Sequence, residues 1–265
     1  FFFKQKTAYE IVDCDWSSDV CSSDLRLVSA RHCAGRQARW CDALETCLMT
    51  QAKSAQQDMS APDYWESACE HLMKHDRIMR KIIPKYPKAE FLTTRGDPFQ
   101  TLARAIVGQQ ISVKAAQSVW DRTTALTKKF TAKAVLKLEP TQLREAGLSQ
   151  RKVEYLQDLA NHFENGGLHS AKWDQLNDET IIAELTAIRG IGRWTAEMFL
   201  IFYLMRPNVL PLDDIGLIKG ISLAYFSGEP VTRHEAREVA ANWEPWRTVA
   251  TWYMWRSIDP IPVEY

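Results

Sequence analysis

Two short stretches carry residues whose types and spacing could do chemistry. The first is "RGIG" (189–192), which runs straight into "RWTAEMF". Gly190 stands where a helix end commonly needs left-handed backbone angles, which glycine adopts at little steric cost. Ile191 can turn inward to pin the turn. Gly192 lets a bulky group approach the backbone just where the next helix begins, and the first N–H groups of a helix have no acceptor within it. Those donors, with the positive end of the helix dipole, make an anion site. A Gly-x-Gly turn also serves as a plain connector between helices. The second stretch is "VLPLDDIGLIKG" (209–220), where Asp213 and Asp214 follow Pro211 and precede an apolar run. Aspartates at such a place cap the helix that follows or supply a carboxylate to a site. Both readings stand at this point.

Residues of this kind need rigid elements around them, and from Pro62 onward the pattern is helix after helix. "PDYWESACEHLMKHDRIMRKII" spaces Trp65, Leu72, Ile78 and Ile82 as one helical run, with Pro84 and Pro87 as stops. Asp97 as N-cap and Pro98 at the first helical position open the next helix, whose stripe is Phe99, Leu102 and Ile106. Ser112 caps a helix with Val113, Ala116, Val119 and Trp120 on one face. Shorter helices start at Thr131 and Pro140, and another over 149–164 stops at Gly166–Gly167. A helix over 177–188 puts Ile181, Ile182, Leu185 and Ile188 on one side, and 193–205 reads as a buried apolar helix. "TRHE" (232–235) is a capping box before a helix reaching Trp243, and Pro245 opens a last helix over 245–257. No strand series or fixed-period repeat emerges. The expected fold class is all-α, about ten helices in one compact unit or two closely joined lobes.

Bulk properties exclude little. The 265 residues carry 33 basic and 33 acidic side chains. Any contact with nucleic acid must therefore use a local patch rather than a global field. The longest apolar run, Met198–Met205, is far short of the roughly 18–20 residues of a membrane span. Cysteines occur at 14, 21, 33, 41, 47 and 69 with no Cys-x-x-Cys pair, so a zinc or iron–sulfur site has no ligand framework. Their absence after residue 69 fits a reducing compartment. Residues 1–25 show no helical period, strand alternation or signal-peptide pattern, and resemble the conceptual translation of sequencing-adapter DNA. Residues 26–60 read as a leader or a mixed helix, with Met49 or Met59 as a start. The expected organisation is an artefactual or disordered extension over 1–60, one domain over 61–260 with its hairpin at about 178–205, and a tail over 261–265.

The hairpin and the aspartate segment together resemble the helix–hairpin–helix superfamily of DNA glycosylases, and within it the DNA-3-methyladenine glycosylase II family. "ARAIVGQQISVKAA" (103–116) resembles that family's DNA-facing helix–turn–helix segment, and "WEPWRTVATWYMW" (243–255) its C-terminal aromatic helix. The four segments fall in the family's order across residues 62–260. The resemblance implies the helix–hairpin–helix glycosylase fold without the amino-terminal β-domain of the larger bacterial enzymes. It makes Asp214 the catalytic carboxylate, which would stabilise the positive charge that builds on the sugar as an N-glycosidic bond breaks.

Trp194 falls where bifunctional relatives carry a lysine that forms a Schiff base, and an indole cannot do so. The implied enzyme is monofunctional and leaves an abasic site uncut. Trp194, Trp255 and Met198 are the implied substrate pocket, the aromatics favouring an electron-poor alkylated base, while Trp243, Trp246 and Trp252 read as core. Gln110 takes the place of the wedge that fills the gap left by an extruded base. Gly190, Ile191 and Gly192 would meet the DNA backbone, joined by Arg189, which stands where many relatives have proline. The resemblance further implies a monovalent cation at backbone 187–192 and no cofactor. The implied partner is double-stranded DNA containing alkylated bases, met by a monomer with no membrane contact. The location would be the bacterial cytoplasm at the nucleoid, or the nucleus in a eukaryote. Alternatives are a glycosylase for another lesion such as uracil or hypoxanthine, and a non-catalytic helix–hairpin–helix DNA-binding module.

Overall fold

Helix starts in this chain are set by local chemistry. The computed structural model describes residues 61–87, 91–92, 97–166, 168 and 170–258. The extension expected over 1–60, Gly167 of the expected stop and the tail over 261–265 lie outside the described residues. Among the described residues every regular element is helical. They are α1 (Trp65–His75), α2 (Met79–Ile82), α3 (Pro98–Gly108), α4 (Val113–Ala125), α5 (Ala132–Val135), α6 (Pro140–Glu145), α7 (Gln150–Glu164), α8 (Asp178–Thr186), α9 (Arg193–Phe202), α10 (Ile215–Tyr225), α11 (Arg233–Ala241) and α12 (Arg247–Ile258), with 3-10 turns at Ile83–Lys85 and Ser170–Gln175. The side chains of Asp97, Ser112, Thr131, Ser149, Asn177 and Thr232 each accept an amide of the following first turn. Each satisfies a donor that the helix itself leaves without an acceptor.

The apolar run that begins at Trp65 does not form the single helix its spacing predicts. It breaks at Asp76, whose backbone is extended (φ −128°, ψ 119°). The Asp76 side chain takes over as a cap: its Oδ1 accepts the amides of Ile78 (2.7 Å) and Met79 (3.0 Å). Its Oδ2 accepts the Tyr225 hydroxyl (2.6 Å) and the Trp243 indole N–H (3.0 Å). Burial, and then the bond to Asp76, push the Tyr225 hydroxyl's pKa well above its ordinary value. Asp76 is 5% exposed, so removing it strands buried donors, each costing about 1–3 kcal/mol. Asp76→Ala is expected to lower the unfolding free energy by about 2–3 kcal/mol in urea titration, and Tyr225→Phe by about 1 kcal/mol. Equal losses in the two variants would contradict a network centred on the carboxylate.

The helix expected over 193–205 also ends early, at Phe202. Met205 takes a left-handed backbone (φ 54°), and the Arg206 amide returns to the Leu200 carbonyl (2.9 Å). The Arg206 guanidinium, donating to the carbonyls of Trp173 and Leu176, draws the chain off the helix axis.

Two lobes result. In one, α3, α5 and α6 pack on α7, with α4 against α3. In the other, α12 is the centre, with α1, α2 and α10 packed on it and α11 against α10. Thr248 through Arg256 of α12 are all buried, which explains why this helix shows no polar face. Trp243 and Trp252 are core as expected, Trp252 meeting Trp65 edge to face at 5.3 Å. Trp246 is half-buried and stacks on Tyr64 (5.7 Å). The α8–α9 hairpin joins the lobes, α9 packing on α8 and on α3.

Candidate active site

Of the two adjacent aspartates, the structure separates their roles. Asp213 is exposed and paired with Arg233 (2.5 Å). Asp214 is 3% exposed and is the N-cap of α10, its Oδ1 accepting the Leu217 amide at 2.7 Å. The capping role is therefore real, but it does not account for the rest of the environment. The Trp255 indole N–H donates to the same Oδ1 at 2.8 Å, and the Trp194 indole N–H donates to Oδ2 at 3.0 Å. Three elements thus converge on one buried carboxylate: the hairpin helix α9 brings Trp194, the central helix α12 brings Trp255, and α10 supplies the cap. Trp194 is half-buried. Trp255 is buried and lies parallel to Phe202 (5.7 Å between centroids, 8° between planes). Met198, expected beside the pocket, is buried, as Trp255 and Asp214 are. It follows Trp194 by one helical turn on a helix whose residues from Ala196 to Phe202 are all buried.

The hairpin turn has the geometry its glycines suggest. Gly190 has φ +86°, and a Cβ there would stand 2.2 Å from Cδ2 of the Tyr155 ring. Ile191 is buried and its amide donates to the Ile188 carbonyl (3.1 Å). Gly192 is the exposed N-cap of α9 and makes no side-chain cap bond, so no side chain competes for the first-turn N–H groups. A Cβ at Gly192 would meet nothing within 4 Å, so the open approach there is genuine space.

Arg189 is held at two points on α7. Its guanidinium turns back onto Glu154 (3.0 Å) and its amide onto Asp158 (2.8 Å), two carboxylates one turn apart on α7. The side chain stays 61% exposed beside Glu154. The carbonyls of Ile188 and Gly190 already accept hydrogen bonds from the chain, so a cation at backbone 187–192 would have to share them. No group of three or more His, Cys, Asp or Glu side chains suited to a metal occurs among the described residues.

Gln110 lies in the turn between α3 and α4, exposed and in a left-handed backbone (φ 60°). A non-glycine residue rarely sits there. Sequence reasoning missed its neighbour: Gln109 donates through Nε2 to the Gly190 carbonyl at 2.8 Å, across 81 positions of chain. No local pattern could have signalled it. Gly216 was missed as well, although a glycine in the first turn of an apolar helix is costly unless something must approach it. There, an added Cβ would lie 3.1 Å from Asp214 Oδ1 and 3.2 Å from Trp255 Cδ1.

A cavity of about 280 Å³ lies beside the hairpin, lined by residues including Glu179, Arg193, Glu197, Asn208, Leu212 and Arg247, but not by Asp214 or its two indoles. Arg193 grips Glu179 with two bonds and donates through Nε to Glu197 Oε1 (3.0 Å). Glu197 is 4% exposed, and its Oε2 has no hydrogen-bond partner among the described residues. Burial raises its pKa from 4.5 to about 7, against the opposing pull of Arg193. The folded state therefore holds this proton more tightly than the unfolded chain does. The contribution to stability is complete below about pH 4.5 and is lost as pH rises through about 7. Melting curves should show Glu197→Gln gaining on the parent protein across that window and holding a constant difference above it. A difference independent of pH would contradict the assignment.

A glycine-turned pair of helices, a second helix with no side-chain cap and a buried carboxylate heading the helix beyond mark the helix–hairpin–helix class of fold. The sequence matches the HhH-GPD superfamily of base excision DNA repair proteins over residues 103–246. It is 31% identical over 165 residues to DNA-3-methyladenine glycosylase 1 of Schizosaccharomyces pombe, covering 61% of this chain and 72% of that protein. The fold resembles the DNA-3-methyladenine glycosidase of Bacillus halodurans with a TM-score of 0.66 and 34% identity, over 71% of this chain and 86% of the other. It also resembles an S. pombe 3-methyladenine DNA glycosylase in complex with abasic DNA, with a TM-score of 0.62 and 29% identity, over 72% and 96% of the two chains. The chain belongs to the HhH-GPD superfamily.

Proposed function

We propose that the protein is a monofunctional DNA glycosylase that removes alkylated bases of the 3-methyladenine type from duplex DNA. The observation that carries this is the buried Asp214, at the head of a helix and held on both oxygens by N–H donors. Heterolysis of the C1′–N bond sends its electron pair out with the base and leaves positive charge on the sugar. A fixed carboxylate in a dry site stabilises that charge far better than one in water. An alkylated purine carrying positive charge leaves as a neutral base, so no strong general acid is required. Water then bonds to C1′ and releases a proton, giving the abasic sugar. Trp194 offers the reaction no amine, so the strand is left intact. The α9 N-terminus supplies free N–H groups for a backbone phosphate, and Gln110 stands exposed to enter the gap left by the extruded base. The relatives named above support the alkylated-base substrate.

The test is release of 3-methyladenine from methylated duplex DNA, followed by chromatography, with uracil- and hypoxanthine-containing duplexes in parallel. Free methylated base with an unbroken strand is expected. Release confined to uracil or hypoxanthine would overturn the substrate class, binding without any release would leave only a DNA-binding module, and a borohydride-trapped adduct would overturn the monofunctional assignment.

A further inference from the structure

The hydrogen bonds at Asp214 are not evenly shared. Oδ1 accepts two, from the Leu217 amide (2.7 Å) and the Trp255 indole (2.8 Å), while Oδ2 accepts one, from the Trp194 indole (3.0 Å). A carboxylate oxygen has two lone-pair positions. Oδ1 is therefore filled, and Oδ2 keeps one position open. Trp255 is poorly placed to act as a platform for a base, being 7% exposed with one face against Phe202. The contact with Asp214 also depends on a missing side chain. A Cβ at Gly216 would crowd both Asp214 Oδ1 (3.1 Å) and Trp255 Cδ1 (3.2 Å), forcing one of them to shift.

We propose that Trp194 and Trp255 serve base removal as positioning residues, their indole N–H groups fixing Asp214 so that Oδ2 alone faces the reacting sugar, and that Gly216 is the small residue that lets this cradle close. The inference rests on Asp214 being the catalytic carboxylate. A carboxylate held by preorganised donors needs no reorientation as charge develops, which is where such sites gain their rate. A freely turning one would present its charge at the productive angle only part of the time. The two indoles thus act on the charge, through their edges, whatever their faces contribute to holding a base.

Ring and N–H can be separated at Trp194. Replacing it with 3-benzothienylalanine keeps the size and face of the ring and puts sulfur where the N–H was. The single-turnover rate of base release should fall about tenfold, the scale of one hydrogen bond to a charged group. Affinity for a duplex containing a tetrahydrofuran abasic analogue should stay within about twofold on that reasoning, since the fixed charge acts on the transition state. Trp194→Phe should lose as much rate or more, and Gly216→Ala should lose rate with little loss of affinity. Full rate with benzothienylalanine would overturn the proposal, and so would a loss of affinity equal to the loss of rate. A readout independent of turnover is the pair of indole N–H resonances of Trp194 and Trp255, which should move in Asp214→Asn. Unmoved resonances would overturn the cradle. Asp214→Asn with undiminished release would instead overturn the catalytic assignment beneath it.

Discussion

Asp214→Asn is expected to slow base release by about a hundredfold to a thousandfold, the scale on which removing one preorganised electrostatic group acts in a dry site. The substitution is close to isosteric, and it replaces the carboxylate together with one acceptor of the indole donors. The amide oxygen can still accept the Leu217 and Trp255 donors that now reach Oδ1. The amide nitrogen then faces the Trp194 indole, donor against donor, where a 3.0 Å hydrogen bond stood before. A stability loss of about 1–2 kcal/mol is expected from that unpaired contact, small enough to leave the fold intact for assay. Single-turnover base release on methylated duplex DNA measures the rate, and thermal unfolding checks the fold. Release within about threefold of the parent, well inside the range quoted for such groups, would remove Asp214 from the mechanism.

Gly190→Ala is expected to weaken binding to an abasic-analogue duplex by at least about tenfold, the equivalent of one charge-assisted hydrogen bond. Two separate penalties act at this position. The left-handed backbone (φ +86°) costs a residue with a Cβ about 1–2 kcal/mol. The Cβ itself would overlap the Tyr155 ring at 2.2 Å, so ring or turn must move. A moving turn displaces the Gly192 cap and the N–H groups behind it. The double variant Gly190→Ala with Tyr155→Ala removes the overlap but not the backbone cost, and should recover part of the affinity. Direct binding measured by fluorescence anisotropy distinguishes the cases. Unchanged affinity in the single variant would mean that the hairpin turn does not hold the DNA.

What the sequence made legible was local. The caps at Asp97, Ser112, Thr131, Asn177 and Thr232 each depend on residues three positions apart, and so they are written in the sequence as spacing. The all-α class follows from those caps and the apolar period between them. The break at Asp76 was hidden by an apolar period that runs through it, and the buried partners of its carboxylate, Tyr225 and Trp243, lie 149 and 167 positions away. The same distance problem hides the site's interior. A resemblance can suggest Trp194 and Trp255, but only the folded chain shows their N–H edges on Asp214, across 20 and 41 positions. The partners of Arg189 were hidden for a related reason: Glu154 and Asp158 lie on another helix. Gly216 was the one long-range feature with a local trace, a glycine where the helix would gain from almost any other residue.

The bond from Gln109 to the Gly190 carbonyl makes the two exposed turns a single gauge. Helix α3 leads into one turn, α9 leads out of the other, and the two helices pack on each other. The hydrogen bond closes the third side of this triangle, and a triangle resists shear where two separate fingers would bend. A load on the tip at Gln110 is thus passed to the hairpin carbonyl instead of being absorbed by its own turn. The left-handed backbone at Gln110 (φ 60°) stands directly beside this tether. The spacing between the two turns is in this way a fixed dimension of the protein.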